Sequence, residues 1–152
     1  MLLKETALLR LFGLRIPLLL WVGPRVVELD DQRCAVKIPL GLRTRNHVGS
    51  MYIGAMVAGA DLAAGLHALR AAGAAAVVPI FKDARMEFFK RADGDVVFRC
   101  SDGQTVREAA ARAAATGERV TLPVEVLATV PAKYGDEPVA RMTMGLSMKR
   151  KS

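Results

Sequence analysis

Between about Tyr52 and Ala72 the chain carries only small or apolar residues, apart from Asp61, His67 and Arg70. A run of that length and character predicts one long helix buried on most of its circumference. On a 3.6-residue repeat Gly54, Val57, Ala58, Asp61, Ala64, Gly65 and Ala68 share one face, and all but Val57 and Asp61 are Gly or Ala. So bare a face would let another backbone or a ligand approach the carboxylate.

Shorter patterns flank this helix. Residues 4 to 12 place apolar positions at helical spacing and predict an amphipathic helix stopped near Gly13. Leu14 to Trp21 fits either a second helical turn or part of a lid. Two β-rich runs, Arg25 to Leu29 and Arg33 to Ile38, flank Asp30-Asp31-Gln32 and predict a hairpin ended by Pro39 and Gly41. After Gly73, Ala74 to Phe81 reads as a strand with Pro79 at a bulge or sheet edge. Ala84 to Ala92 alternates as a strand, and Asp93-Gly94 reads as a hairpin turn into the next one, DVVFRC. An Ala-rich helix ending at Gly117 has two competing capping boxes, Ser101 with Gln104 and Thr105 with Glu108. Two further strands follow, joined near Tyr134-Gly135-Asp136. This order predicts an α+β chain in which an antiparallel sheet of about five to six strands wraps one long helix.

Composition narrows the picture. At 152 residues, 52% of them hydrophobic, the chain can bury one substantial core, expected to be a single domain over residues 1–148. Residues 149–152 are expected to form a disordered basic tail. The formal net charge of +7 suits an anionic partner: a nucleotide-bearing cofactor, an acidic carrier protein, anionic lipid or nucleic acid. Lys149, Arg150 and Lys151 supply three of those charges. A nucleic-acid partner is not expected, because charge alone points to it and no recognised motif accompanies it. Cys34 and Cys100 have no metal-ligand spacing and read as buried strand residues, so no metal or cofactor is expected. Glu5, Arg10, Arg15 and Pro17 break up the apolar N-terminus, so no signal peptide is predicted, and Asp61 and His67 interrupt the long helix short of a membrane span. The expectation is a cytoplasmic protein with no membrane partner.

Asp61 needs a physical explanation. A lone carboxylate in apolar surroundings costs several kcal/mol unless it is paired, hydrated or neutralised. It either faces a solvent-filled gap, caps a neighbouring backbone, or serves as a base near the first turn of its own helix. There the free N–H groups of Ile53, Gly54 and Ala55 favour developing negative charge. His47, one histidine in a polar loop, reads as a solvated or capping residue. Asn46 reads as a turn former, a local cap, or an amide that orients substrate or water.

Asn46, Gly49, Tyr52-Ile53-Gly54 and Asp61 together resemble the hot-dog-fold thioesterases of the phenylacetyl-CoA type. That family carries Asn-x-x-Gly-x-x-His-Gly-Gly, six residues, and a catalytic Asp or Glu on the central helix. Asn46, Gly49, Gly54 and Asp61 match in type and spacing, whereas Tyr52 stands in place of His and Ile53 in place of the first Gly. Uncharacterised hot-dog domains that tolerate an aromatic at position 52 are the branch this chain resembles more. The resemblance implies a hot-dog fold and hydrolysis of an acyl-CoA or acyl-carrier-protein thioester. Asp61 would be general base or nucleophile, the Ile53 and Gly54 N–H groups the oxyanion hole, and Asn46 an orienting group. Gly49 and Tyr52 would adjoin the substrate, and Arg85, Lys90 and Arg91 would hold phosphates. It also implies a homodimer or homotetramer with a site shared between subunits. A non-catalytic acyl-CoA-binding or dimerisation module is the alternative.

Overall fold

A computed structural model describes residues 1–152. Two N-terminal helices, α1 (Leu3–Gly13) and α2 (Pro17–Trp21), precede the hairpin strands β1 (Arg25–Leu29) and β2 (Cys34–Ile38). The long helix α3 (Ile53–Ala75) leads into β3 (Val77–Phe88) and β4 (Val96–Cys100). Helix α4 (Gly103–Thr116), β5 (Val120–Thr129), the single turn α5 (Pro131–Tyr134) and β6 (Pro138–Arg150) complete the chain. The six strands form one antiparallel sheet in the order β1-β2-β4-β5-β6-β3. Helix α3 packs on β2, β3, β4, β5 and α4, so the sheet wraps the helix as expected.

Small side chains make that wrapping possible. Ala55, Ala58, Gly59, Ala60, Ala63, Ala64, Ala68, Ala71 and Ala72 are all buried along α3. A Cβ added at Gly59 would lie 2.2 Å from the ring of Phe98, which is itself fully buried. Part of the bare helix face therefore serves packing: Ala58, Ala64 and Ala68 lie in the core, while Val57, Asp61 and Gly65 stay at its rim. The helix ends at Ala76, whose φ of 52° is left-handed, and the Ala76 carbonyl accepts a hydrogen bond from the Lys151 amide at 3.0 Å.

Several local expectations are corrected. Ala74 and Ala75 belong to α3, and the two strands expected over 74–81 and 84–92 are one strand, irregular between Phe81 and Asp83. Asp93-Gly94 turns no hairpin, because β3 is an edge strand paired only with β6, whereas β4 sits between β2 and β5. Residues 89–95 instead cross between them, and the Asp93 carboxylate pairs with Lys133. Neither capping box forms: Asp102 is the α4 N-cap residue, and its carboxylate accepts a bond from the Glu125 amide. Thr105 turns its hydroxyl to the Asp102 carbonyl, and Gln104 bonds Glu108. Lys149 and Arg150 are no frayed tail, since they pair with Val78 and Val77 as the end of β6.

The Gly59 contact yields a stability test. Gly59→Val is expected to cost about 2 to 3 kcal/mol by forcing Phe98 out of a packed core. Gly73→Ala, in open space late in the same helix, is expected to gain up to about 1 kcal/mol. Urea unfolding midpoints of the two variants should move in opposite directions.

Candidate active site

The loop before α3 is a small, tightly tied unit. Asn46 Oδ1 accepts the amides of Val48 and Ser50, each at 3.0 Å, and its own amide donates to the Ser50 carbonyl at 2.7 Å. Gly49 takes a φ of +79°, which glycine adopts without strain, so its part is to close this turn. Arg91 locks the loop from outside, Nε donating to Ser50 Oγ at 3.0 Å and Nη2 to the Val48 carbonyl at 2.6 Å. The Met51 amide completes the attachment by donating to the Ala92 carbonyl at 2.8 Å. With Oδ1 so committed, Asn46 keeps only its side-chain N–H groups for anything outside the loop.

An open groove of about 410 Å³ lies beside this loop and the start of α3. Asn46, Val48, Ser50 and Met51 form one wall, Ile53 and Met56 the helix side, and Phe88, Lys90, Arg91 and Ala92 the other wall. No side chain caps the helix, so the N–H groups of Ile53, Gly54 and Ala55 have no acceptor in the chain. Tyr52 does not line the groove; its ring lies against Gly54, where a Cβ would meet it at 2.7 Å. Lys90 sits at the groove's edge but is paired with Glu137 at 2.7 Å and lies over the Tyr134 ring. Arg85 is apart from it on β3, its side chain 80% exposed and near Glu87 alone. Neither groove cation is therefore uncommitted, and Arg85 is not in the groove. Val48, Ser50, Met51, Met56, Phe88 and Ala92 are the wall residues that the motif spacing alone does not single out.

Asp61 lies elsewhere. It lines a separate cleft of about 60 Å³ between α3 and the N-terminal helices, walled by Leu9, Phe12, Ile16, Leu19, Leu62 and Leu66. That volume has room for water but not for an acyl chain. Its carboxylate makes no ion pair or hydrogen bond within the chain, and burial raises its pKa above the ordinary carboxylate value. Eight residues of helix, about 12 Å, separate it from Ile53. One chain thus brings Asn46, Ile53, Lys90 and Arg91 to a common groove and leaves Asp61 outside it.

The remaining nucleophile candidates are quiet. Burial pushes the Cys34 thiol up to about 12 and that of Cys100 to about 11, so neither supplies a thiolate. His67 is buried with Nε2 3.4 Å from the Cys100 carbonyl, and burial lowers its pKa. His47 does not line the groove. No group of three or more His, Cys, Asp or Glu could hold a metal, and no helix is long and apolar enough to cross a membrane.

An antiparallel sheet wrapped on one long helix, with an open groove at the uncapped helix start, is the hot-dog fold of the thioesterase class. Residues 4–147 match the family described as Domain of unknown function (DUF4442), and the chain belongs to that family. Among solved structures it is similar to a probable thioesterase of unknown function from Pseudomonas aeruginosa. The two share 25% identity and a TM-score of 0.81 over 99% of this chain and 97% of that one. A putative thioesterase from Shewanella oneidensis aligns at 16% identity and a TM-score of 0.79, covering 98% of this chain and all of the other. A thioesterase from Haemophilus influenzae aligns at 11% identity and a TM-score of 0.63, over 87% of this chain and 82% of the other. No curated protein matches the chain.

The Asp61 environment sets a pH dependence of stability. A raised pKa means that the folded chain binds this proton more tightly than the unfolded chain, so stability falls as pH rises through and above the usual carboxylate range. Asp61→Asn is expected to lose that part of the slope. It should be more stable than wild type at neutral pH and converge with it in acid, as read from urea unfolding across a pH series.

Proposed function

We propose that the protein hydrolyses an acyl thioester at the groove beside Ile53, with Asp61 supplied by a second copy of the chain. Thioester is the coarse substrate class that the related structures support; the residue roles are our reading. The carrying observation is the pairing of two incomplete sites: uncapped helix N–H groups in a groove without a base, and an unpartnered carboxylate with no room for substrate. Ile53 and Val57 are 53% and 38% exposed and, with Asp61, recur every four residues along one side of α3. Val57 is midway between the other two. A two-fold axis near Val57 therefore sets Ile53 of each copy opposite Asp61 of the other.

In this arrangement the carbonyl oxygen accepts N–H bonds from the first turn of α3, so that negative charge develops against fixed donors. Asp61, its basicity raised by an apolar setting, takes the proton of the attacking water, and the thiolate leaves. Asn46 positions water or substrate through the side-chain N–H groups its loop leaves free. An open groove with Phe88 in its wall suits short or aryl acyl groups better than long chains. The thiol carrier is coenzyme A or an acyl-carrier protein, and the setting cytoplasmic. A second reading, a binding module without turnover, draws on the Tyr52 ring that covers Gly54 where the thioesterase motif has His.

Hydrolysis of short and aryl acyl-CoAs by wild type tests the proposal, and binding without turnover would select the second reading. Asp61→Ala is expected to lower kcat by about 10²- to 10⁴-fold. Ile53→Pro deletes one donor without breaking the helix, because Pro suits the first helical position and Tyr52 already holds φ −64° and ψ 141°. It should cost about 10²- to 10³-fold. Mixing the two inactive variants should restore turnover, since a mixed dimer contains one intact site. Failure of that mixture, with mixed dimers formed, would place the whole site within one chain.

A further inference from the structure

A second concavity, of about 310 Å³, lies at the opposite end of the sheet edge, between the start of β3 and the end of β6. Arg119, Lys149, Arg150, Lys151 and Ser152 line it, Val78 and Ile80 form its apolar floor, and no Asp or Glu side chain is among its walls. From Val78 to Phe88 is ten strand residues, about 33 Å, so within one chain this is a different site from the groove at α3.

These cations belong to the part of the chain's Lys and Arg that has no ion pair. Lys37, Lys90 and Arg141 each have a carboxylate within 4.0 Å, whereas none of the four does. The two guanidinium groups are instead oriented by neutral acceptors. Arg119 Nη1 donates to Ser147 Oγ at 2.8 Å, and Arg150 Nη1 donates to the Ala114 carbonyl at 3.1 Å. The Arg150 fork lies against the end of α4 at Gly117, whereas the Arg119 fork keeps its other N–H groups for a ligand. The backbone beneath is tied down as well, Lys151 to Ala76 and Lys149 to Val78. Arg119, Lys149 and Lys151 thus leave three unpaired charges around one small space. One planar fork and two ammonium groups suit the several oxygens of a phosphate or diphosphate group.

We propose that this groove binds a phosphomonoester or diphosphate group, the apolar floor taking the adjoining part of the ligand. The proposal is independent of the hydrolase reading, because binding is measured without a thioester. Isothermal titration of the full chain at about 0.15 M salt, where long-range attraction is screened, uses inorganic pyrophosphate and adenosine 3′,5′-bisphosphate as soluble probes. Phosphatidylcholine vesicles carrying phosphatidic acid present the same chemistry as a lipid headgroup. Arg119→Gln with Lys149→Gln should weaken binding by about tenfold or more, a loss of two charged contacts. Lys149→Gln with Lys151→Gln removes side chains that bond nothing in the fold and should act in the same direction. Arg15→Gln, on an exposed cation outside the groove, should change nothing. Binding of the soluble probes identifies a free phosphate ligand, and binding of the vesicles alone identifies a headgroup, provided the groove variants lose it. Absence of binding to every probe overturns the proposal, as does binding that the groove variants keep or Arg15→Gln weakens equally. Retention of a single-stranded oligonucleotide with no response to pyrophosphate also overturns it, in favour of an extended polyanion surface.

Discussion

The close approach of α3 to the sheet, with Phe98 lying where a larger residue at Gly59 would be, governs the rest of the architecture. A helix of alanine and glycine is thin, and a sheet that closes on it must curl to keep its strands in contact. Strands from β2 through β6 do so, and α4 covers a further flank. Most of the apolar circumference of the helix is thereby spent on packing, and along its first half a narrow strip from Ile53 through Val57 to Asp61 stays outside the buried core.

Each end of the strip has its own surroundings. At the N-terminal end a turn built on Asn46 is held to the sheet by Arg91 and leaves the first helical amides bare. Toward the middle, α1 and α2 lay leucine and phenylalanine over Asp61 and raise its proton affinity. The first end stabilises negative charge, and the second makes a carboxylate reluctant to carry it. Those are the two demands that the proposed general-base hydrolysis makes, and one element carries both environments.

Elements whose stability is local were legible in the residues. The long helix, the β1–β2 hairpin around Asp30 and the helix stop at Gly117 all follow from side-chain period or turn chemistry. Features decided by distant partners were not. Asp93-Gly94 has a hairpin's turn residues, but β3 gains more by pairing along β6, and Lys133 takes the Asp93 carboxylate. The Asp102 carboxylate turns to β5 rather than to its own helix. Motif spacing placed Asn46 and Ile53 beside one groove, and Lys90 and Arg91 share it. Spacing says nothing of what covers a residue, so the apolar roof over Asp61 and the distance of Arg85 from the groove emerge only in three dimensions.

The pairing of β3 with β6 has a consequence for how the chain is made. Val77 to Phe88 find their only strand partner in β6, which is synthesised well after them. Until then a nascent chain holds an unpaired edge beside an apolar helix, both open to intermolecular contact. Closure of the β3 edge therefore waits for β6, and synthesis stalled upstream of Pro138 releases a fragment prone to aggregate.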